Sequence, residues 1–213
     1  MSGNLSGRRR QAGASLPGTM TFQEPTEPFL LVIDLEATCD ENHRLSKYEM
    51  ETIEIGAVLV ETGTLAPVGE FQSFVRPVRH PRLTPFCTQL TTIQQRDVDG
   101  APGFKEAMAN LRRFLDGRRA LFCSWGRYDK SQLDQDAAFH RIDLPLGRGH
   151  LNLKESFGLH LDERPSGMAG ALRRVGLPLH GTHHRGIDDA RNIARLLPWS
   201  LGRATAPRAR SAG

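Results

Sequence analysis

Three cysteines, Cys39, Cys87 and Cys123, are all the sequence holds, and no two of them stand in a C-x-x-C pair. An odd count at such spacings excludes a disulfide framework. Reduced thiols in a cytoplasmic protein are the expectation. Long apolar runs are missing too. None approaches the ~18 residues that a membrane-spanning helix needs. Arg8, Arg9 and Arg10 are followed by QAGASLPGTM rather than by an apolar segment, which argues against a secretory or twin-arginine signal. Met20 stands as an alternative start to Met1. Acidic residues are absent from both ends. Residues 1–20 carry those three arginines and residues 203–213 carry Arg203, Arg208 and Arg210, so setting the six aside takes the net charge from +4 to −2. The basic balance therefore belongs to the tails. A nucleic-acid groove in the middle of the chain must be a local patch or work through metal ions. No internal repeat is present.

What is present is apolar material enough, 38% of 213 residues, for the core of one ordinary domain. Residues 1–28 and 203–213 lack periodicity and are expected to be disordered tails around a domain spanning 29–202. FLLVID (29–34) is a continuous apolar run ending in an acid, as in a central strand buried on both faces. TIEIGAVLVE (52–61) and EFQSFVRPV (70–78) read as two further strands, with a turn at Thr62-Gly63, and suggest a meander. Helical turns are expected over 84–90 and 92–97. A stronger helix opens at Pro102, carries Phe104, Met108, Leu111 and Leu115 at helical spacing, and stops at Gly117. ALFCSW (120–125) is a fourth strand, followed by a helix over 129–139. HLNL (150–153) is either a fifth strand or the entry to a helix over 154–159, and helices over 166–175 and 188–197 close the domain. The order describes a mixed α/β fold.

Three features carry chemistry. Asp34-Leu35-Glu36 lies at the end of the most apolar strand, where residues i and i+2 share a face, so the two carboxylates converge. Their repulsion and lost hydration need an offset, which a hard divalent cation such as Mg²⁺ or Mn²⁺ supplies. A solvated Glu36 is the plainer alternative. Asp129 stands where the fourth strand turns into a helix, and an acid favoured by the helix dipole is its plainer reading. His184 precedes Asp189 by five residues, with Asp189 in the first turn of the last helix; capping by Asp188 or Asp189 is the alternative there. His180, His183 and His184 raise the question of zinc, but no cysteine or histidine pair at ligand spacing supports it. Together the three features supply what two-metal phosphodiester hydrolysis requires: several carboxylates around a pair of cations, and a base that titrates near neutrality.

The order D-x-E, W-x-x-x-D, H-x-x-x-x-D resembles the DEDDh 3′→5′ exonucleases, whose ribonuclease H-like fold is a mixed five-stranded sheet flanked by helices. VIDLEATCD (32–40), QLTTIQQRDV (89–98), SWGRYDKSQL (124–133) and HHRGIDDARNIARL (183–196) are similar to the histone-mRNA 3′ exonuclease and enhanced-RNAi branch. The resemblance implies two Mg²⁺ or Mn²⁺ ions held by Asp34, Glu36, Asp129 and Asp189, with His184 rather than His183 as general base. It implies a site for the 3′-terminal nucleotide formed by Glu36, Ala37, Thr38, Leu90, Thr91, Ile93, Tyr128 and His184, where a 2′-hydroxyl marks RNA. The implied reaction frees nucleoside 5′-monophosphates from the 3′ end of single-stranded nucleic acid, RNA foremost; no protein partner and no membrane is implied. DNA or short oligonucleotides on the same scaffold, or a catalytically silent RNA-binding module, are the alternatives. One departure stands out: the branch usually has tryptophan beside its third acid, whereas Trp125 here is displaced by Gly126-Arg127-Tyr128.

Overall fold

A computed structural model describes residues 22–41 and 44–207. The tails over 1–21 and 208–213, expected to be disordered, lie outside the described residues. Five strands, β1 (Phe29–Ala37), β2 (Thr52–Glu61), β3 (Pro67–Phe74), β4 (Ala120–Ser124) and β5 (His150–Asn152), form one sheet in the order β3-β2-β1-β4-β5. The first three make the antiparallel meander, and β4 and β5 add parallel to β1. Helices α1 (Pro85–Thr91), α2 (Gln95–Asp99), α3 (Phe104–Leu115), α4 (Tyr128–His140), α5 (Leu153–Leu161), α6 (Met168–Arg174), α7 (Gly186–Arg195) and α8 (Leu197–Ser200) complete it. HLNL resolves into both readings: β5 ends at Asn152, whose side chain caps α5 by accepting the Glu155 amide at 3.3 Å. The third strand sits three residues earlier than its alternation suggests. It begins at Pro67 on the sheet edge and has ended by Arg76, whose amide turns away to the Pro102 carbonyl.

The alternation of β1 divides the core. Leu31, Ile33 and Leu35 pack with Ile55, Ala57 and Leu59 of β2 under α3 and α4. Leu30 and Val32 face the other way, with Val58 and Val60, into the layer of α5, α6, α7 and α8. Each such burial contributes about 1.5–3 kcal/mol. Asp34 and Glu36 continue the Leu30–Val32 row, so the apolar stripe that fixes the register also fixes which layer the two acids face.

Segment 22–28 departs from the expected tail. Phe22 packs on the core and edge-to-face with His160 at 4.6 Å, and Thr62 Oγ1 donates to the Glu27 carbonyl at 2.6 Å. Arg203, assigned by composition to the other tail, pairs with Glu24 at 2.8 Å and donates to the Thr62 carbonyl at 2.6 Å. One aromatic ring and a few polar contacts anchor these segments, a pattern too short to show as periodicity. Among the described residues no helix is long and apolar enough to cross a membrane.

Helix α7 crosses β2 and β1 at very short range. Gly56, opposite Asp34 in the register, has no room for a side chain: a Cβ there would lie 2.1 Å from the Gly186 carbonyl carbon and the Ile187 nitrogen. Both obstacles are backbone, so the helix itself would have to move. Gly56→Ala is expected to lower stability by roughly 1–3 kcal/mol or more and to weaken activity as Asp189 is displaced with α7. Denaturant midpoints and turnover on the same preparation check this.

Candidate active site

Asp34 and Glu36 project from the C-terminal end of β1 toward the first turn of α7, which carries Asp189. Oxygen atoms of Asp34, Glu36 and Asp189 lie within 4.8 Å of one another. Asp129 arrives from the other side of the strand. β4 pairs with β1 only as far as Val32, so the later β1 amides on that edge have no strand partner. The Leu35 amide donates instead to Asp129 Oδ1 at 3.1 Å, which ties the first turn of α4 to the strand between the two acids. Glu36, Asp129 and Asp189 are all buried.

Asp189 is held from its own loop. The His184 amide donates to its Oδ2 at 3.0 Å, and His183 Nδ1 lies 2.9 Å from the same oxygen. His184 adopts a left-handed backbone, φ 62°. That turns two successive side chains, which would point apart in an extended chain, to one side: the His183 and His184 rings stack at 4.0 Å. Both rings, with Asp34, Asp189 and Trp125, line an open cleft of about 600 Å³ whose far wall is the start of α6, Ser166 to Gly170, and Arg173. His180 is not among the residues that line this cleft; Asn192 holds its backbone, accepting from the His180 amide at 3.1 Å and donating to its carbonyl at 2.7 Å.

Sequence reasoning passed over Glu54. It is fully buried on β2, opposite Glu36, and accepts from Arg185 Nε at 3.0 Å, the Gly186 amide at 3.1 Å and Gln72 Nε2 at 2.7 Å. It therefore clamps the loop that presents His184 and Asp189. The signal was available in part, since Ile53-Glu54-Ile55 puts an acid in a strand otherwise apolar on both faces. Its partner, 131 residues away, is a matter of the fold.

The electrostatics follow from burial first and crowding second. Burial, then the charges of Asp129, Asp189, Glu36 and Glu54, push Asp34 well above the usual carboxylate range. Burial, then Asp189 and Glu54, push Glu36 up to about 8. Burial raises Asp129 to about 6 against the hydrogen bond from Leu35, and raises Asp189 against the His184 amide and His183. His184 is lowered by burial and by His183, with Asp189 opposing. Converging carboxylates that resist ionisation when alone are a donor set suited to hard, oxygen-loving dications, whose charge reverses that resistance. The residues present fit Mg²⁺ or Mn²⁺.

The residues expected around a terminal nucleotide divide. Leu90 and Tyr128 are exposed, Tyr128 at the N-terminal end of α4 beside Asp129. Thr91 and Ile93 have no accessible surface, which corrects their expected contact with a base. Ile93 packs with Ile53, Cys87 and Val98, and Thr91 Oγ1 donates to the Cys87 carbonyl and accepts the Ile93 amide. Ala37 and Thr38 are also buried, and the Thr38 amide is taken by the Glu51 carbonyl at 2.8 Å. Trp125 is fixed in the cleft wall: its Nε1 donates to the Ser166 carbonyl at 3.0 Å and its ring meets Phe157 edge-on. Gly126, at φ 116°, makes the turn that lets Arg127 and Tyr128 intervene before Asp129.

Comparison with known proteins gives a consistent result. The family model described as Exonuclease matches residues 31–197. ERI1 exoribonuclease 2 of Homo sapiens is 30% identical over 220 residues, covering 91% of this chain and 31% of that protein. The 3′-5′ exonuclease eri1 of Schizosaccharomyces pombe is 30% identical over 222 residues, covering 91% of this chain and 74% of that protein. The solved nuclease domain of 3′hExo, a DEDDh family member, bound to rAMP, is 27% identical with a TM-score of 0.78, covering 85% of this chain and 96% of that one. The chain thus spans about a third of the human relative's length, and 57% of the length of ERI1 exoribonuclease 3 of Bos taurus. The sheet order and flanking helices are the ribonuclease H-like arrangement expected from the sequence.

Proposed function

The chain belongs to the exonuclease family, in the branch of the ERI1 exoribonucleases, and from that premise we propose that it is a divalent-metal-dependent 3′→5′ exonuclease acting on single-stranded RNA. The observation that carries this reading is the convergence of Asp34, Glu36 and Asp189 within 4.8 Å, with Asp129 tied to the same strand through Leu35. These four carboxylates hold two Mg²⁺ or Mn²⁺ ions. When bound, such ions activate water and stabilise the leaving 3′-oxygen.

The chain's own groups do the rest. His184 is the base: its imidazole lines the cleft with Asp34 and Asp189 and is neutral at physiological pH, so a ring nitrogen takes the proton of the attacking water. Glu54 holds its loop in place through Arg185 and Gly186. Leu90 and Tyr128 meet the terminal base at the rim, where an aromatic face accepts any base by stacking. Glu36 and the Ala37–Thr38 backbone lie nearest the ribose, whose 2′-hydroxyl favours RNA. The three free thiols are in keeping with a cytoplasmic setting.

RNA and DNA oligomers of one sequence, 5′-labelled and incubated with Mg²⁺ or Mn²⁺, test this. A 3′-shortening ladder with release of nucleoside 5′-monophosphates, faster on RNA, is the expected result. Equal rates on DNA remove the RNA preference, and degradation that persists in EDTA overturns the metal mechanism. At saturating Mn²⁺, His184→Ala is expected to lower kcat by about 10²–10⁴-fold and to flatten the acid limb of the pH profile. Because burial and His183 lower the His184 pKa, the wild-type limb is expected below the ordinary histidine value of 6.5.

A further inference from the structure

Two overlapping sets of donor atoms occupy the cleft, and they differ in chemistry. Asp34, Glu36 and Asp189 offer only oxygen; His183, His184 and Asp189 offer two imidazoles and one carboxylate, also within 4.8 Å of one another. Adjacent histidines do not ordinarily share a ligand. These two do because the left-handed backbone at His184 lays the rings side by side, 4.0 Å apart, above a carboxylate that is itself pinned by the His184 amide. Among the described residues the His184 ring has no hydrogen-bond partner, and the His183 ring has only Asp189. His183 is well exposed at 43%, which opens the group to solvent. Nitrogen-rich sets of this kind select zinc-class ions over magnesium, since imidazole suits Zn²⁺, Co²⁺ and Ni²⁺ while Mg²⁺ keeps to oxygen.

We propose that His183, His184 and Asp189 form a second cation site, specific for zinc-class ions, that shares Asp189 with the oxygen site. Binding there withdraws Asp189 from the carboxylate set and engages the ring assigned as the base. The ion is therefore an inhibitor that magnesium only partly displaces. That consequence rests on the exonuclease reading above, whereas the site itself rests on the ligand geometry.

The test uses the full chain and zinc chloride, with binding followed by calorimetry and by the visible spectrum of Co²⁺ in the same site. Wild type is expected to bind one Zn²⁺ and to give a Co²⁺ spectrum of nitrogen–oxygen ligation. His183→Gln keeps a hydrogen-bond donor for Asp189 and is expected to weaken Zn²⁺ binding at least about tenfold. The zinc concentration for half-inhibition, measured on wild type and His183→Gln against each one's own activity in Mg²⁺, is expected to rise by the same factor. Asp34→Asn, which damages only the oxygen set, is expected to retain the zinc site. Zinc affinity unchanged in His183→Gln, or lost in Asp34→Asn, overturns the proposal. His183-dependent zinc binding by a chain without nuclease activity upholds the site and overturns the exonuclease reading instead.

Discussion

Asp34→Asn is expected to remove nuclease activity by about 10³-fold or more, the equivalent of about 4 kcal/mol in the barrier, while leaving the metal-free protein as stable as wild type or slightly more so. The two halves have one cause. Asp34 sits at the centre of the acid group, crowded by Asp129, Asp189, Glu36 and Glu54, and partly buried. Without a cation its carboxylate is a source of repulsion, which a neutral amide of the same shape relieves. With a cation the same carboxylate is a ligand, which an amide replaces poorly because it brings no charge. Thermal melts with and without Mg²⁺ or Mn²⁺ separate the two. Wild type is expected to gain stability on adding the ion, by mass action on the folded state, and the variant to gain little. If the variant is inactive but melts well below wild type in EDTA, Asp34 is a structural residue and its placement among the ligands is wrong.

How much of this was legible beforehand depends on the range of each interaction. Asp34 and Glu36 could be read together because strand geometry relates i to i+2 whatever the fold, and their strand declared itself through an unbroken apolar run. Asp189 and His184 were readable for a similar reason, both lying on one loop-to-helix junction. Asp129 could be placed at a helix start, but its bond to the Leu35 amide depends on β4 ending early beside β1, a matter of register across 94 residues. Glu54 and Gly56 were out of reach for the same kind of reason: each acts on the Arg185–Ile187 backbone, which the chain returns to only at α7. The misplaced base contacts show the opposite limit. Leu90, Thr91 and Ile93 stand close in sequence, yet Leu90 and Thr91 fall on different faces of the last turn of α1, one exposed and one buried, and Ile93 is buried beyond the left-handed turn at Thr92, φ 63°. The same holds for His183, where a positive φ at its neighbour turned an unremarkable H-H pair into a stacked one.

The second large effect is a reversal in the pH dependence of stability on adding the cation. In the folded, metal-free chain Glu36 is raised from 4.5 to about 8 and Asp129 from 3.8 to about 6, and Asp34 and Asp189 are raised as well. Between the ordinary carboxylate range and pH 8 these four carboxyls therefore hold more protons in the folded state than in the unfolded one, opposed in part by His140, His150 and His184, which burial lowers. Stability must fall as pH rises wherever that is so. At about 1.4 kcal/mol per pKa unit, Glu36 alone destabilises the folded chain by a few kcal/mol by pH 8, and the melting temperature in EDTA is expected to drop by roughly 5–10 °C between pH 5 and pH 8. A divalent cation binds only the ionised carboxylates, so its affinity rises over the same interval and protons are released as it binds. With excess Mg²⁺ or Mn²⁺ the slope is expected to flatten or change sign. Glu36→Gln supplies the control: it removes one of the strongly raised carboxyls, and the EDTA slope is expected to shrink while the cation's effect weakens. Parallel pH profiles with and without the ion would mean that these acids do not meet a cation, and the melts would then report crowding alone.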